Sequence, residues 1–295
     1  MIHPHVLHNG RIVEAARGAI LFPGQVGLLS GWGVFSTIRI FDGVLFAFPR
    51  HWARMKRDAE LLHLAMPGSP EAVEASLLEL VAANQAYNST LRVAIVRNRG
   101  GVWEGPGIER DSDLIAMTAD LKEWRQGVRL TVTPHARYTA SGFTGAKILS
   151  WAQNLVFLED AQRRGFDETL LLNERGEVSE CTSANVFAAQ GNRVWTPPLA
   201  SGCLPGVTRE ILLEQVHAAG VTLAEKDLRL EDLERADEVF ITSTTRDLVS
   251  VAEIDGLQIR REGHARLELQ KSFSAYVDSY VHRPEARRAP LVPAA

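Results

Sequence analysis

The sequence predicts an α+β chain of two domains, on three observations. A length of 295 residues exceeds what one hydrophobic core usually holds. Tight-turn hairpin patterns and helix-period stretches both occur along the chain. The pattern then shifts near Asp120–Gly127, which reads as a linker. We therefore expect a small N-terminal domain over 1–120, a linker over 121–128 and a larger domain over 129–281. A Pro-, Ala- and Arg-rich tail over 282–295 is expected to be disordered.

Composition narrows the function classes. Hydrophobic residues make up 45% and charged residues 23%, ordinary values for a soluble globular protein. A formal net charge of −4 offers no basic field for a phosphate backbone, so nucleic acid is not an expected partner. Two cysteines, Cys181 and Cys203, do not make a disulfide framework and suit a reducing cytoplasm. No apolar run reaches membrane-spanning length. The opening M-I-H-P-H-V-L-H-N-G-R lacks the basic and apolar regions of a secretion signal. His3, His5 and His8 have no carboxylate or cysteine at ligand spacing, so no metal site is expected there.

Taken in order, Val6–Leu7 and Ile12–Val13 flank Asn9-Gly10, a pair suited to a primed hairpin turn. Residues 33–41 and 43–48 form a second hairpin pattern turning at Asp42-Gly43. A helix begins near Pro49 and carries His51 and Arg54, three apart on one face. An alanine-rich helix is predicted over 69–87, then strands Leu91–Val96, Leu114–Ala119 and Arg129–Pro134. Helical period returns from Trp151 to Arg164, with Gly165 as its stop. Strands Glu168–Asn173 and Ala184–Ala189 lie around the turn Glu174-Arg175-Gly176. A helix over Val207–Ala219, a buried strand Val239–Ser243 and a helix over Arg266–Tyr280 complete the reading.

The chemistry concentrates in Ala146–Arg209. Lys147 stands among Gly145, Ala146, Ile148 and Leu149, where apolar surroundings disfavour an ammonium and free a nucleophilic amine. Glu180 lies in the run V-S-E-C-T-S-A-N-V-F, a costly place for a carboxylate unless a cation pairs with it. Gly206-Val207-Thr208 opens a helix, where amide groups and the helix dipole favour an anion. An amine, a carboxylate and an anion-binding helix start are what pyridoxal phosphate (PLP) needs for its aldehyde, ring nitrogen and phosphate. Thr144-Gly145-Ala146-Lys147 also matches the T-x-x-K form of acyl-transferase motifs, but no S-D-N or K-T-G partner follows.

In order and spacing these parts resemble the class IV (fold type IV) PLP aminotransferase family. That group includes branched-chain and D-amino-acid aminotransferases and 4-amino-4-deoxychorismate lyases. The resemblance runs over roughly residues 7–260. It implies a small α/β N-terminal domain, a larger β-barrel-like C-terminal domain with helices, and a homodimer whose site is completed by a neighbouring subunit. It implies that Lys147 forms an aldimine with PLP and that Glu180 meets the ring nitrogen. Arg54, in a segment similar to the family's H-x-x-R-L/M, would grip the phosphate with Val207, Thr208 and Thr244. Arg97, Arg99, Thr245 and Arg246 become candidates for the substrate carboxylate. The implied activity is transfer of an amino group between an amino acid and a 2-oxo acid. The alternative is a pyruvate-releasing aminodeoxychorismate lyase on the same cofactor; a binding protein on the same scaffold is a further one.

Three departures bear on the substrate. Ala152 stands where the branched-chain pattern has tyrosine. Ser36 replaces the glutamate of G-x-G-V-F-E, and Ser36-Thr37 is closer to lyase-type members. Arg246 occupies a position where branched-chain enzymes carry alanine.

Overall fold

The computed structural model describes residues 1–16, 25–100, 108–124 and 127–291. The chain divides into two compact units. The first comprises Met1–Lys122, Lys147–Trp151 and Ser279–Ala295; the second comprises Glu123–Ala146 and Ala152–Asp278. The expected 1–120 and 129–281 boundaries therefore need correction at two places. Lys147–Trp151 and the end of the chain belong with the first unit, because their partners lie on its sheet. Residues 125–126 of the expected linker lie outside the described residues.

The first unit holds strands β1 (Ile2–His8), β2 (Arg11–Glu14), β3 (Gly33–Phe41), β4 (Val44–Leu45), β5 (Thr90–Arg97) and β6 (Ser112–Ala119). Their order across the sheet is β2-β1-β6-β5-β3-β4, with every pairing antiparallel. Both tight turns use left-handed backbone: Asn9 and Gly10 at φ 49° and 77°, Asp42 and Gly43 at φ 46° and 76°. These are the angles a primed turn requires, so His8 faces Arg11 and Phe41 faces Val44.

Period-2 alternation sorts β3. Val34, Ile38 and Ile40 enter the core with Leu91, Val93 and Ile95 of β5, and Phe35, Thr37 and Arg39 take the other face. The core face is covered by α2 (Phe48–Leu61) and α3 (Pro70–Ala83) through Phe48, Trp52, Met55, Leu77, Leu80 and Val81. Each fully buried side chain of this size contributes about 1.5–3 kcal/mol. Helix α3 begins at Ser69, whose hydroxyl caps the Ala72 amide, and stops short of the predicted 87. Gln85 adopts φ 51° and the Ala86 amide turns back to the Val81 carbonyl, a stop usually written with glycine.

The second unit holds β7 (Val128–Arg137), β8 (Glu168–Asn173), β9 (Val178–Cys181), β10 (Asn185–Gln190), β11 (Arg193–Thr196), β12 (Thr222–Glu225), β13 (Glu238–Ser243) and β14 (Asp247–Ile254). Their order is β12-β11-β10-β13-β14-β7-β8-β9. Helix α4 (Ala152–Arg163) lies in sequence between β7 and β8, which pair in parallel as a crossover requires. The sheet curls. In a flat sheet β9 and β10 would stand about 24 Å apart at strand spacing. Yet only Thr182–Ala184 joins them, a reach of roughly 14 Å at most. This is the barrel-like character expected of the larger domain. Its core gathers Leu130, Leu170, Val178, Val186, Val239, Ile241 and Val251.

Other elements depart from the sequence pattern. The helix α5 covers Val207–Glu214 rather than reaching Ala219, because Val216 and Ala218 alternate into the core while Gln215 and His217 face out. The short helices α1 (Val26–Ser30) and α6 (Leu230–Arg235) and the strands β11, β12 and β14 carry too few residues or too mixed a pattern to stand out. The last helix, α7 (Ala265–His282), extends to the start of the expected disordered tail. Through Leu291 that tail is ordered: Arg288 bridges to Val44, the Ala289 amide donates to the Gly43 carbonyl, and Ala289 is buried.

A buried carboxylate ties the loop end of the first sheet together. Asp113 is 1% exposed and accepts from Asn9 Nδ2 (2.8 Å), Gln25 Nε2 (2.8 Å), Asn98 Nδ2 (2.9 Å), Arg110 Nε (2.9 Å) and His8 Nε2 (3.0 Å). Burial alone would raise its pKa, but the bonds from Arg110, His8, Asn9 and Asn98 hold it well below the usual carboxylate range. A depressed carboxylate adds stability at neutral pH that disappears as pH falls through its folded value. Asp113→Ala strands several buried donors, so urea unfolding at neutral pH should show a loss of about 3 kcal/mol. The deficit should shrink in acid.

Candidate active site

In the first unit, Lys147 is positioned on β3. Strand β4 pairs only with Ile40 and Phe41, which leaves the Gly33–Phe35 end of β3 an open edge. Residues 147–149 fill it. Phe35 N donates to the Lys147 carbonyl (3.1 Å), Leu149 N donates to the Gly33 carbonyl (2.8 Å), and Val34 faces Ile148. Only glycine fits at 33, since a Cβ there would lie 2.4 Å from the Ile95 carbonyl and 2.5 Å from Leu149 Cδ1. On its other side Lys147 N donates to Asp58 Oδ2 (3.0 Å), a carboxylate 1% exposed on α2. Backbone bonds in both directions therefore aim the lysine. Its Nζ stands 4.6 Å from the centre of the Phe35 ring, and the Arg92 guanidinium stands 3.9 Å from that same ring.

Helix α2 presents His51, Arg54 and Asp58 along one face, all buried. Arg54 Nη2 donates to Ser36 Oγ (2.9 Å), and Ser36 Oγ lies 2.8 Å from His51 Nδ1. Arginine can only donate, so the hydroxyl accepts from Arg54, and its second bond runs to the His51 ring. The other ring nitrogen, His51 Nε2, is buried and has no partner among the described residues. Burial first, then the charges of Arg54 and Lys147, hold the His51 pKa well below its ordinary value, so the ring is neutral.

The expected carboxylate belongs to the second unit. Glu180 sits on β9 and is 8% exposed. Its Oε1 accepts from Arg137 Nε (3.0 Å) and its Oε2 from Leu204 N (3.0 Å). Arg137 Nη2 also donates to Asn154 Oδ1 (3.2 Å), whose Nδ2 donates to the Thr182 carbonyl (2.8 Å). Asn185 Nδ2 donates to the Leu204 carbonyl (2.9 Å). Gly206, the residue before α5, could not carry a Cβ, which would fall 2.1 Å from Asn185 Oδ1. Among the described residues no side chain caps α5, so none of them claims the first-turn amides at Val207 and Thr208. Asn185 faces Thr242 across β10 and β13, and Thr242 Oγ1 is buried without a partner among the described residues. Thr244, Thr245 and Arg246 form the turn between β13 and β14.

The expected cofactor residues thus fall into two sets. Lys147 and Arg54 lie beside His51 in the first unit; Glu180, Val207, Thr208 and Thr244 gather around β9, β10, β13 and the start of α5 in the second. The arginines expected to bind substrate fare differently. Arg246 is 9% exposed, donates to the Ser183 carbonyl and hydroxyl, pairs with Glu168 and lies 3.7 Å from the Trp124 ring. Its guanidinium is committed to the fold. Arg97 donates to the carbonyls of Arg99 (2.6 Å) and His63 (2.8 Å) and stacks on Trp32. Arg99 is exposed near Asp111. Arg92, Arg137 and Asp58 escaped the sequence reading. Arg92 alone carried a signal, a charge within the apolar alternation of L-R-V-A-I-V.

Comparison with known proteins bears on the family and the fold. The family model described as amino-transferase class IV matches residues 33–254. A D-alanine aminotransferase of Bacillus licheniformis is 31% identical over 258 residues, covering 86% of this chain and 89% of that protein. The branched-chain-amino-acid aminotransferase of Escherichia coli (strain K12) is 25% identical over 257 residues, covering 82% and 83%. Among solved structures, the branched-chain aminotransferase of the thermophilic archaeon Thermoproteus uzoniensis, determined with norvaline, superposes with a TM-score of 0.83 at 25% identity. It covers 93% of this chain and 95% of that one.

The neutral His51 supplies a pH test. Below about pH 6.5 an unfolded chain protonates this histidine while the native state does not. A depressed histidine gives stability that is present above that pH and is lost as pH falls. In His51→Gln this contribution is absent. Urea midpoints measured at about pH 7.5 and about pH 5.5 should therefore drop less in the variant than in the native sequence.

Proposed function

Because the chain belongs to the class IV aminotransferase family, we propose that it moves an amino group between an amino acid and a 2-oxo acid with PLP as its cofactor. The observation that carries the reading is Lys147, a half-buried amine held by backbone bonds at β3 and by Asp58. The residues present fit PLP: an amine for its aldehyde, a buried carboxylate for its ring nitrogen, and buried His51 Nε2 and Thr242 Oγ1 with no partner among the described residues. When bound, PLP supplies an aldehyde that takes up the amino group and a ring that draws electrons from the substrate α-carbon.

The chain's own residues do the rest. With PLP bound, Lys147 would hold its aldehyde and would carry the proton at the substrate α-carbon as base and then acid. Glu180 would accept from the ring nitrogen and favour its protonated form. Arg54 in the first unit, and in the second the amides of Val207 and Thr208 and the hydroxyl of Thr244, are the groups that would bind the phosphate. Phe35 presents its ring to the amine, 4.6 Å from its centre to Nζ. Arg92, half-buried and resting on Phe35, is the cation we assign to a substrate carboxylate in place of Arg246 and Arg97. We read the enzyme as a cytoplasmic homodimer. Leu28 and Leu29 on α1, 45% and 66% exposed, offer an apolar patch for a second copy. Among the described residues no helix is long and apolar enough to cross a membrane.

Borohydride reduction of the holoenzyme followed by peptide mapping should place the cofactor on Lys147; a label on another lysine overturns the assignment. Amino donor alone should convert the visible absorbance of the bound cofactor to that of the pyridoxamine form. Pyruvate release from aminodeoxychorismate without that conversion identifies the lyase instead. Glu180→Gln should retain PLP but lower kcat about 10²-fold, equivalent to roughly 3 kcal/mol. Arg54→Ala should weaken PLP binding and recover much of its turnover in excess cofactor.

A further inference from the structure

We propose that Arg137 is a positioning residue that fixes the plane of the Glu180 carboxylate before any cofactor arrives. The inference rests on the reading of Glu180 as the partner of the ring nitrogen. Both carboxylate oxygens are already held within the second unit. Arg137 Nε and Nη2 each lie 3.0 Å from Oε1, and Leu204 N lies 3.0 Å from Oε2. A carboxylate oxygen accepts more than one hydrogen bond, so this grip leaves acceptor capacity for a ring N–H while removing rotational freedom.

Arg137 is itself held. Nη2 donates to Asn154 Oδ1 and Nη1 to the Ala136 carbonyl, and Asn154 Nδ2 donates to the carbonyl of Thr182, two residues beyond Glu180. Arg137, Glu180, Thr182 and Asn154 thus close a ring that joins the end of β7, the end of β9 and the first turn of α4. Arg137 and Glu180 expose only 13% and 10% of their side chains, so little water competes for these bonds. A lysine could supply the charge at this place but not the flat fork that reaches Glu180 and Asn154 together. The arrangement separates two roles. Charge neutralisation alone needs a cation beside Glu180; orientation needs the guanidinium.

The test uses the PLP-loaded enzyme and the substitutions Arg137→Lys, Arg137→Gly and Asn154→Ala. If Arg137 orients Glu180, Arg137→Gly at saturating PLP should lose about 10²-fold in kcat, with the KM of the amino donor changed less than about threefold. The visible circular dichroism of the bound cofactor, which reports how rigidly the ring is held, should fall. Added guanidinium ion should restore about tenfold of the lost kcat by refilling the vacated position. Arg137→Lys should resemble Arg137→Gly. Asn154→Ala, which keeps the cation but releases its second anchor, should lose about tenfold with the same fall in dichroism, and serves if the Arg137 variants do not fold. Native kcat and dichroism in Arg137→Lys overturn the proposal in favour of simple charge neutralisation. So does failure of guanidinium to rescue a folded, PLP-loaded Arg137→Gly. A native protein that takes up no PLP, or carries it on a lysine other than Lys147, fails at the earlier reading, and that result is read before any variant is made.

Discussion

The lysine depends on an open strand edge. Strand β4 stops short, the Gly33–Phe35 end of β3 is left with unpaired backbone groups, and residues 147–149 complete it. An exposed edge of this kind is usually a hazard for a soluble protein. Here the chain fills its own edge with Lys147 and its neighbours, so the stability of the sheet and the position of the amine are one and the same set of bonds. Asp58 adds a side-chain bond from α2 to the Lys147 amide, and the helix that carries Asp58 also carries His51 and Arg54 at helical spacing. Moving α2 would move all three together.

A second constraint is that buried charge must be satisfied within the chain. Glu168, 1% exposed, accepts from the amides and hydroxyls of Thr182 and Ser183 and pairs with Arg246. That carboxylate organises the link between β9 and β10, and so fixes where Glu180 leaves one strand and Asn185 begins the next. Asp113 does comparable work at the loop end of the first sheet. Neither group touches the reacting atoms in our reading. Both hold backbone that would otherwise be free to drift by the ångström that separates a working site from an idle one.

Much of this was legible in the sequence where the determinant is local. Asn9-Gly10 and Asp42-Gly43 announced their turns, Ser69 and Pro70 the start of α3, and Gly165 the end of α4. Lys147, Glu180 and the Gly206–Thr208 helix start stood out because amine, carboxylate and anion site follow in order. Non-local features were not legible. Arg137 and Glu180 are 43 residues apart, and nothing in T-P-H-A-R-Y says which carboxylate the arginine meets. Gln85 ends α3 in a conformation that the sequence would lead one to expect of glycine. The tail from His282 has the composition of a disordered segment, yet it packs because the short β4 hairpin leaves Gly43 and Val44 to be paired. Arg246 drew a functional reading from its neighbours in sequence, whereas its spatial neighbours Glu168 and Trp124 give it a structural one.

The contrast between Arg246 and Arg92 bears on substrate choice. An incoming carboxylate must draw a guanidinium away from whatever holds it. For Arg246 that means breaking a buried ion pair, at about 3–5 kcal/mol for the charge left behind. Arg92 rests on the face of Phe35, and a contact of that kind contributes only about 0.5–2 kcal/mol. Charge-assisted bonds to a carboxylate offset so small a loss with ease. Arg92 can therefore change partners without unsettling the fold, and Arg246 cannot. Steps at the cofactor are common to every amino acid, so discrimination has to come from groups that meet the remainder of the substrate. Phe35 and Arg92, an aromatic face and a cation beside the Lys147 amine, are such groups. They favour a donor whose carboxylate can reach the guanidinium while its amino nitrogen stays near Nζ.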